Sequence, residues 1–246
     1  MAIVTGAGRG IGAAAAGLFA AEGARIAVCD IDLELANERA AAIRQAVGAD
    51  VAVAFGHDLS VPSNCDSLVA AVLDQLGRVD ILVNSAGVCP RVAIEDMTEA
   101  VFDSIMDVNL KSIFFLSRAA GDAMRANGWG RIVNLSSVGG RTGGVYRATV
   151  YAASKAGVIS MTKAFARHFA VDSILVNSVA PGSVDTRMMH DGVSEAARQA
   201  QIDAVPLKRL STPEEQAAVV AFLASPANTY VTGATVDANG GALMPD

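Results

Sequence analysis

The feature that most constrains the fold is a strand, a glycine-rich turn and a helix at the start of the chain. The apolar run Ala2-Ile3-Val4 ends in Thr5-Gly6 and predicts a strand buried on both faces, as in a parallel sheet. Residues 7–12 then carry three glycines, and the Ala-rich stretch from Ile11 to Glu22 predicts a helix that Gly23 ends. Such a turn brings the backbone close to a pyrophosphate, and the helix N-terminus offers free N–H groups to its charge.

The rest of the 246-residue chain repeats this alternation of strands and helices. It predicts an α/β fold of one domain spanning 1–246: a doubly wound, mostly parallel sheet (Rossmann fold) in three α/β/α layers. The polar stretch at about 183–210 has no clean period and predicts a substrate lid with one or two short helices. Later strands are predicted at 25–29, 51–55, 81–83, 131–135, 174–179 and 235–236. Further helices are predicted at about 32–47, 62–76, 98–126, 151–169 and 212–224, with a flexible loop at 138–144.

Composition and charge exclude several classes of protein. The net charge is −6 without a basic patch, so we do not expect a nucleic-acid partner. The apolar run from Ile11 to Ala21 is too short to span a bilayer and follows no signal-peptide pattern, so we expect no membrane association. The scattered cysteines Cys29, Cys65 and Cys89 predict reduced thiols in a cytoplasmic protein. Neither these cysteines nor the three histidines suggest a metal site.

Polar residues follow most of the predicted strands. The carboxyl ends of parallel strands meet at one edge of the sheet, where ligands bind in such folds, so these residues should converge on one rim. Those residues are Asp30, Asp58, Asn84, Ser137 and Pro181-Gly182. Asp30 lies 24 residues after Gly6, which fits an acceptor for the hydroxyls of an adenosine ribose. A loop-edge carboxylate or a helix cap is the other interpretation of Asp30.

Tyr151 and Lys155 are four residues apart on a predicted helix, so their side chains share one face. A neighbouring ammonium favours the phenolate, and we therefore expect the pKa of Tyr151 to fall below its ordinary value of about 10. A phenol tuned in this way is a general acid/base near neutral pH. The pattern alone fits a solvated helix face equally well, and the converging strand ends favour the catalytic interpretation.

These motifs together resemble the short-chain dehydrogenase/reductase family in its compact single-domain form, over nearly the whole chain. Residues 5–12 resemble its Thr-Gly-x-x-x-Gly-x-Gly loop, and Asn84-Ser85-Ala86-Gly87 resembles its Asn-Asn-Ala-Gly motif. Pro181-Gly182 followed by Thr186 resembles the segment that holds the nicotinamide. The family's catalytic Asn, Ser, Tyr and Lys are matched by Asn109, Ser137, Tyr151 and Lys155.

The resemblance implies an NAD-dependent oxidoreductase that moves a hydride between the nicotinamide and a secondary alcohol or ketone. Tyr151 would exchange a proton with the substrate oxygen, and Lys155 would lower the tyrosine pKa and bind the nicotinamide ribose. Ser137 would orient the substrate oxygen, and Asn109 would hold a water that links Lys155 to solvent. The resemblance assigns NAD binding to Gly6, Arg9, Gly10, Ile11, Gly12, Asp30, Asp58, Leu59, Asn84, Ala86, Gly87, Tyr151, Lys155, Pro181, Gly182 and Thr186.

Three features depart from the family pattern. Ser137 and Tyr151 are 14 residues apart, one more than usual, and we expect the loop from Gly143 to Thr149 to absorb the extra residue. Ser173 and Leu175 stand where the family commonly has Gly and Arg, a change that touches a turn and not the site. The chain also begins directly at its first strand, where relatives carry several more residues.

The sequence leaves open whether the protein is an enzyme or a regulator, and which substrate it binds. A catalytically inactive NAD-binding regulator on the same fold is the main alternative to an enzyme, and the complete catalytic set speaks against it. We expect the substrate to be a polyol or sugar, or a 3-hydroxyacyl or 3-oxoacyl compound, with a hydroxysteroid-like alcohol also open. Arg91, Arg141 and Arg147 lie in loops near the rim and either meet an acidic substrate or stay solvated.

Cofactor choice and assembly can also be predicted. Asp30 favours NAD, because the 2′-phosphate of NADP would be repelled by the carboxylate and Arg9 is the one nearby cation. Relatives pair through the helices that hold Asn109 and Tyr151 and through the C-terminal stretch at 231–243, so we expect a homotetramer. The helix residues predicted for this contact are Ala152, Ala156, Ile113 and Phe114.

Overall fold

The computed structural model describes residues 1–48, 50–144 and 147–245. Within them, seven parallel strands form one sheet in the order β3-β2-β1-β4-β5-β6-β7. The strands are β1 (Ala2–Thr5), β2 (Ile26–Asp30), β3 (Ala52–Gly56), β4 (Ile81–Asn84), β5 (Gly130–Leu135), β6 (Ile174–Pro181) and β7 (Thr235–Ala238). All the predicted strands are confirmed, and β2 and β6 extend far enough to include Asp30 and Pro181.

The described helices flank this sheet in the predicted order. They are α1 (Gly10–Ala21), α2 (Leu33–Val47), α3 (Pro62–Leu76), α4 (Glu99–Met106), α5 (Ser112–Arg125), α6 (Gly139–Thr142), α7 (Thr149–Phe169), α8 (Arg187–His190), α9 (Glu195–Ala204) and α10 (Pro213–Ala224). Thr212 accepts a hydrogen bond from Glu215 N, and the Glu215 carboxylate accepts one from Thr212 N. This reciprocal capping box begins α10 where the sequence predicts it.

Successive strand residues point into two separate cores, one on each face of the sheet. On one face Val4 and Val28 pack against helices α1, α2 and α10. On the other face Ile3 and Leu82 pack against α3, α5 and α7, where Phe169 is buried. Each large side chain buried in this way stabilises the fold by about 1.5–3 kcal/mol. The result is the predicted three-layer Rossmann fold, with a sheet held rigid from both sides.

The strand order reverses between β1 and β4, which lie side by side in the middle of the sheet. The connection from β1 leads toward β2 and β3, and the connection from β4 leads toward β5, β6 and β7. Crossovers that leave neighbouring strands in opposite directions open a crevice at their carboxyl ends. The glycine-rich loop and the residues after β4, β5 and β6 border this crevice.

The helix predicted at 98–126 is not a single α-helix. A π-helical segment, Asp107–Lys111, separates α4 from α5, and Asn109 lies at its centre. The Asn109 side chain is fully buried and bonds to the backbone of Val88. An amide that competes for backbone hydrogen bonds fits poorly in a regular α-helix. The π turn accommodates it, because it widens the helix at this residue.

The segment predicted as a flexible loop at 138–144 contains the helical turn α6. Gly140 lies so near α7 that a Cβ there would be 2.7 Å from the carbonyl carbon of Lys155. The missing side chain therefore lets α6 pack on the backbone of the helix that carries the candidate catalytic residues. The expectation that residues 143–149 absorb the extra residue falls partly on positions outside the described ranges and stays a prediction.

The lid predicted at 183–210 contains the two short helices α8 and α9. Within the lid, Met189 and Val205 are buried against the rest of the protein. An isolated parallel β-bridge between Val184 and Ser211 joins the two ends of the lid. In the ranges that the structure describes, no helix combines the length and apolar character that crossing a membrane requires.

Two of the residues predicted for subunit contact are unavailable for it. Ile113 is 1% exposed and Ala152 is 2% exposed, because both face the interior of their own chain. Phe114 and Ala156 are exposed, as the prediction requires. The helix faces that could meet a partner are therefore narrower than the sequence suggests.

Candidate active site

The glycine-rich loop between β1 and α1 is packed more tightly than side chains would allow. Gly6 has a φ of +60°, and a Cβ on it would lie 2.8 Å from the Cα of Ala86. A Cβ on Gly12 would lie 2.4 Å from the carbonyl oxygen of Gly6. The exposed Arg9 precedes α1 and gives the helix no side-chain cap. The first N–H groups of α1 are therefore open to an anion such as a pyrophosphate.

Thr5 fixes this loop to the segment after β4. Its hydroxyl accepts hydrogen bonds from the backbone N–H groups of Ser85 and Ala86, both at 3.1 Å, and donates to the carbonyl of Val83. Thr5 belongs to the motif at residues 5–12, and the sequence predicts no separate role for it. Only the folded chain brings residues 80 positions apart into contact, so the sequence carried no signal for this function of Thr5.

Asp30 lies at the end of β2 and faces the glycine-rich loop. Its carboxylate accepts a hydrogen bond from Gly8 N at 3.0 Å and one from Asp32 N at 3.2 Å. Asp32, and not Asp30, caps α2 through Glu34 N and Leu35 N, so the helix-cap interpretation of Asp30 is wrong. An ionised carboxylate has about four lone-pair sites, and the remaining ones can accept from ribose hydroxyls.

Asp58 and Leu59 stand beside Asp30 at the rim. The N–H of His57 donates to the carbonyl of Asp30 at 3.0 Å, which holds the segment after β3 against the end of β2. The Asp58 carboxylate accepts from the backbone and the hydroxyl of Ser60, and Leu59 is buried. These three positions therefore converge at one end of the crevice, as the sequence predicts.

Asn84 ends β4, and its side chain is buried away from the crevice. Its amide donates to Asn134 at 2.8 Å and to Ser117 at 3.1 Å, and Asn134 in turn donates to Thr162. This polar chain links β4 and β5 to helices α5 and α7. The Asn84 side chain is thus committed to the interior, and Ser85 and Gly87 are the residues of this motif that line the crevice.

Asn109 likewise makes its contacts inside the protein. Its side-chain oxygen accepts from Val88 N at 2.8 Å, and its amide donates to Val88 O and to Ser154 Oγ. Ser154 donates to the carbonyl of Tyr151 at 2.6 Å. Asn109 therefore joins the segment after β4 to the first turns of α7, while its predicted water-holding role stays a proposal.

A cavity of about 210 Å³ lies at the carboxyl ends of β4, β5 and β6. Ser137, Tyr151 and Lys155 all line it, and so do the predicted nicotinamide residues Pro181, Gly182 and Thr186. Ile11 and Gly87, which are predicted to bind the cofactor, line it as well. Lining residues that the sequence did not single out for the site include Cys89, Val138, Met189 and Gln201. Their contribution depends on how the lid and the loops fold over the sheet, for which no local motif exists.

The electrostatics of Tyr151 and Lys155 differ from the sequence prediction. Burial raises the pKa of Tyr151 to about 12, although Ser137 and Arg91 act to lower it. Burial also lowers the pKa of Lys155 to about 8. The lysine ammonium lies 5.7 Å from the centre of the tyrosine ring and donates to the carbonyl of Leu135 at 2.7 Å. The predicted fall in the tyrosine pKa is therefore wrong for this structure, because desolvation outweighs the neighbouring charge.

Ser137 is held in place next to the tyrosine. Its hydroxyl oxygen accepts a hydrogen bond from Gly139 N at 3.0 Å, and this fixes the side chain at the start of α6. The hydroxyl keeps its own proton available for donation and has a second lone pair. An oxygen atom in the cavity can therefore receive hydrogen bonds from Ser137 and Tyr151 together.

The three loop arginines are separated by the fold. Arg141 pairs with Asp237 at 2.7 Å, and Arg147 is exposed. Arg91 lines the cavity, and its Nε is buried without a partner among the described residues. Arg91 is thus the one of the three placed to meet a substrate.

The described residues fit a nicotinamide dinucleotide. The uncapped α1 faces the crevice, Asp30 stands where a ribose diol would lie, and a Cβ on Gly10 would come within 3.5 Å of Thr186 Cγ2. The glycine-rich loop therefore lies next to Thr186 at the base of the lid, which lines the Tyr151 cavity.

Known proteins resemble the chain along nearly its full length. A family model described as Enoyl-(Acyl carrier protein) reductase matches residues 6–242. The 3-oxoacyl-[acyl-carrier-protein] reductase FabG of Vibrio cholerae is 41% identical, with 99% of this chain and 97% of that protein covered. Galactitol 2-dehydrogenase of Agrobacterium fabrum is 36% identical, with coverages of 99% and 97%. A crystal structure described as a short-chain alcohol dehydrogenase from Sinorhizobium meliloti 1021 superposes with a TM-score of 0.92 at 36% identity, with coverages of 98% and 95%.

Proposed function

Because the chain belongs to the short-chain dehydrogenase/reductase family, we propose that it is an NAD-dependent enzyme that interconverts a secondary alcohol and a ketone. The family membership makes it an oxidoreductase with a nicotinamide cofactor. The observation that carries the proposal is that Ser137, Tyr151 and Lys155 line one cavity together with the candidate nicotinamide residues.

Each of the three side chains has a distinct task in this mechanism. The nicotinamide supplies a hydride to the substrate carbon or accepts one from it. Tyr151 donates its proton to the carbonyl oxygen during reduction, and its raised pKa keeps that proton in place at neutral pH. Ser137 holds the same oxygen by a hydrogen bond. Lys155 is charged below a pH of about 8 and stabilises the phenolate that remains after proton transfer.

Replacing Tyr151 by Phe tests this mechanism. Tyr151→Phe should lower kcat for ketone reduction by roughly 10²–10⁴, the usual share of general acid–base catalysis, while cofactor binding persists. The two readouts are NADH oxidation at 340 nm and NADH fluorescence titration. Turnover near that of the wild type would remove Tyr151 from the mechanism. A protein that binds NADH but turns over none of the candidate substrates would instead support the inactive regulator.

Asp30 carries the proposed preference for NAD over NADP. A 2′-phosphate would place roughly two negative charges against its carboxylate, and we expect a preference of at least about 10² in kcat/KM. Asp30→Ala should lower the ratio of kcat/KM for NAD to kcat/KM for NADP. Asp32→Ala is the control, because Asp32 caps α2, and it should leave this ratio unchanged. An unmodified protein that uses NADP as well as NAD would show that Asp30 does not contact the ribose.

The substrate that we propose first is a 3-oxoacyl or 3-hydroxyacyl compound. The 41%-identical FabG acts on such a substrate according to its name. A polyol is the second candidate, because the name of the 36%-identical relative specifies galactitol. An NAD-coupled screen of both classes separates them.

We also propose a cytoplasmic homotetramer. Phe102 and Phe114 are each 43% exposed on the helices predicted to pair, and Tyr230 and Met244 are exposed near the other predicted contact. Large apolar side chains in such numbers favour burial between subunits. Sedimentation at micromolar concentration tests the assembly: a monomer refutes it, and a dimer removes one of the two contacts.

A further inference from the structure

The described residues that line the cavity carry a net positive charge. Among the described residues that line it, Lys155 and Arg91 are cationic and none is an Asp or a Glu. Lys155 is already engaged with the carbonyl of Leu135 and is proposed to hold the nicotinamide ribose. Arg91 has no such assignment, so its charge is available to a substrate.

Arg91 lies where the lid meets the reacting end of the cavity. A Cβ on Gly192 of the lid would be 3.5 Å from Arg91 Cγ, so the lid packs on the stem of the side chain. Arg91 lines the same cavity as Cys89 and Tyr151. Burial raises the pKa of both residues, and the guanidinium charge opposes that rise. Arg91 therefore shares a cavity with the residue that is proposed to exchange the proton.

The arginine is also poorly satisfied by the protein itself. Arg91 Nε is buried, and within the described residues it has neither a hydrogen-bond acceptor nor a carboxylate partner. Two other arginines near the rim are paired, Arg141 with Asp237 and Arg187 with Asp191. A buried donor without an acceptor is costly, and a planar carboxylate offers the guanidinium two parallel hydrogen bonds.

A second unpartnered donor lines the same cavity. Gln201 on α9 receives a hydrogen bond from Ser183 at its side-chain oxygen, while its amide nitrogen is buried without an acceptor. Gln201 and Arg91 thus offer a ligand two groups that can only donate. Both groups suit an oxygen-rich, negatively charged substituent.

We infer that the substrate is a 3-oxo or 3-hydroxy acid with a free carboxylate, and that Arg91 is the residue that selects it. The inference rests on the proposed oxidoreductase function and, within the 3-oxo and 3-hydroxy compounds, places the free acid before the thioester that the name of the 41%-identical relative specifies. Arg91 binds the carboxylate while Tyr151 and Ser137 hold the oxygen on the reacting carbon. An ester or thioester of the same acid lacks the charge and binds more weakly.

The test compares a charged substrate with a neutral one. Acetoacetate, methyl acetoacetate and the N-acetylcysteamine thioester of acetoacetate are reduced with NADH. We expect the wild type to prefer acetoacetate, and Arg91→Gln to lower its kcat/KM for acetoacetate roughly 10- to 150-fold, mainly through KM. The same change should alter kcat/KM for the methyl ester less than about threefold, since the ester carries no negative charge to pair with the guanidinium and accepts only a weaker, neutral hydrogen bond.

Two further variants serve as controls. Arg187→Gln removes a positive charge from the exposed lid surface, where Asp191 already pairs with it, and should leave the preference for acetoacetate unchanged. Gln201→Glu keeps the size of the side chain and places a negative charge in the cavity. Gln201→Glu should therefore lower kcat/KM for acetoacetate more than kcat/KM for the methyl ester.

A binding measurement separates failure of this inference from failure of the proposed function. The complex with NADH is titrated with 3-hydroxybutyrate by calorimetry, which needs no turnover, and binding should weaken in Arg91→Gln. Reduction of the ester or thioester without a preference for the acid overturns the inference and leaves the function standing. Arg91-dependent binding without any turnover supports the carboxylate site and overturns the function. The inference is also overturned if Arg91→Gln lowers kcat/KM for acetoacetate and for its methyl ester by the same factor.

Discussion

Lys155 is predicted to destabilise the fold at neutral pH, and replacing it by Met should reveal this cost. The side chain is 4% exposed, and burial lowers its pKa from the ordinary 10.5 to about 8. Each pKa unit corresponds to about 1.36 kcal/mol, so holding the charged lysine in the folded state costs roughly 3 kcal/mol at pH 7. Lys155→Met removes this cost together with the hydrogen bond to Leu135, which offsets part of the gain.

The pH dependence isolates the charge from the other effects of the substitution. Because the folded pKa is depressed, the unfolded chain binds more protons between about pH 8 and 10.5, and the wild type gains stability as the pH rises. At pH 9.5 the remaining cost is about 1.4 kcal/mol, so the wild type should gain about 2 kcal/mol relative to Lys155→Met between pH 7 and 9.5.

Urea unfolding at the two pH values measures this difference. Lys163→Met is the matched control, because Lys163 lies on the same helix and is exposed to water. The gain should appear in the comparison with Lys155→Met and be absent from the comparison with Lys163→Met. A difference between wild type and Lys155→Met that stays constant within about 0.5 kcal/mol would refute the assignment of a buried charge, since the predicted change is several times larger.

Three further predictions concern the site and the loop that supports it. The kcat/KM for ketone reduction should fall above a pH of about 8 as Lys155 loses its proton, and a profile that stays flat to pH 9.5 contradicts the role of its charge. Thr5→Val leaves the backbone N–H groups of Ser85 and Ala86 without an acceptor and should lower the free energy of unfolding by about 1–3 kcal/mol. An unchanged urea midpoint would argue against a stabilising role of these two hydrogen bonds. Gly6→Ala places a Cβ 2.8 Å from the backbone of Ala86 at a φ of +60° and should weaken NADH binding at least about tenfold, as measured by fluorescence. Retained affinity in Gly6→Ala would show that the loop can shift.

The sequence by itself determined the architecture and most of the rim. Strand, turn and helix signals are local, because the hydrophobic period, glycines and capping residues act within a few positions along the chain. Parallel strands must also present their carboxyl ends on one edge, which is why Asp30, Ser137 and Pro181 could be brought together from their order alone. The family resemblance added the roles that these residues are proposed to have.

Only the tertiary structure decided the properties that depend on distant parts of the chain. Burial raises the pKa of Tyr151, and no spacing of residues along a helix reports that burial. Arg141 is neutralised by Asp237, 96 positions away, while Arg91 keeps its charge for the cavity. Asn84 turns inward because its partner Asn134 lies on the next strand of the sheet. Desolvation and pairing between distant residues follow from packing, and packing exists only once the whole chain has folded.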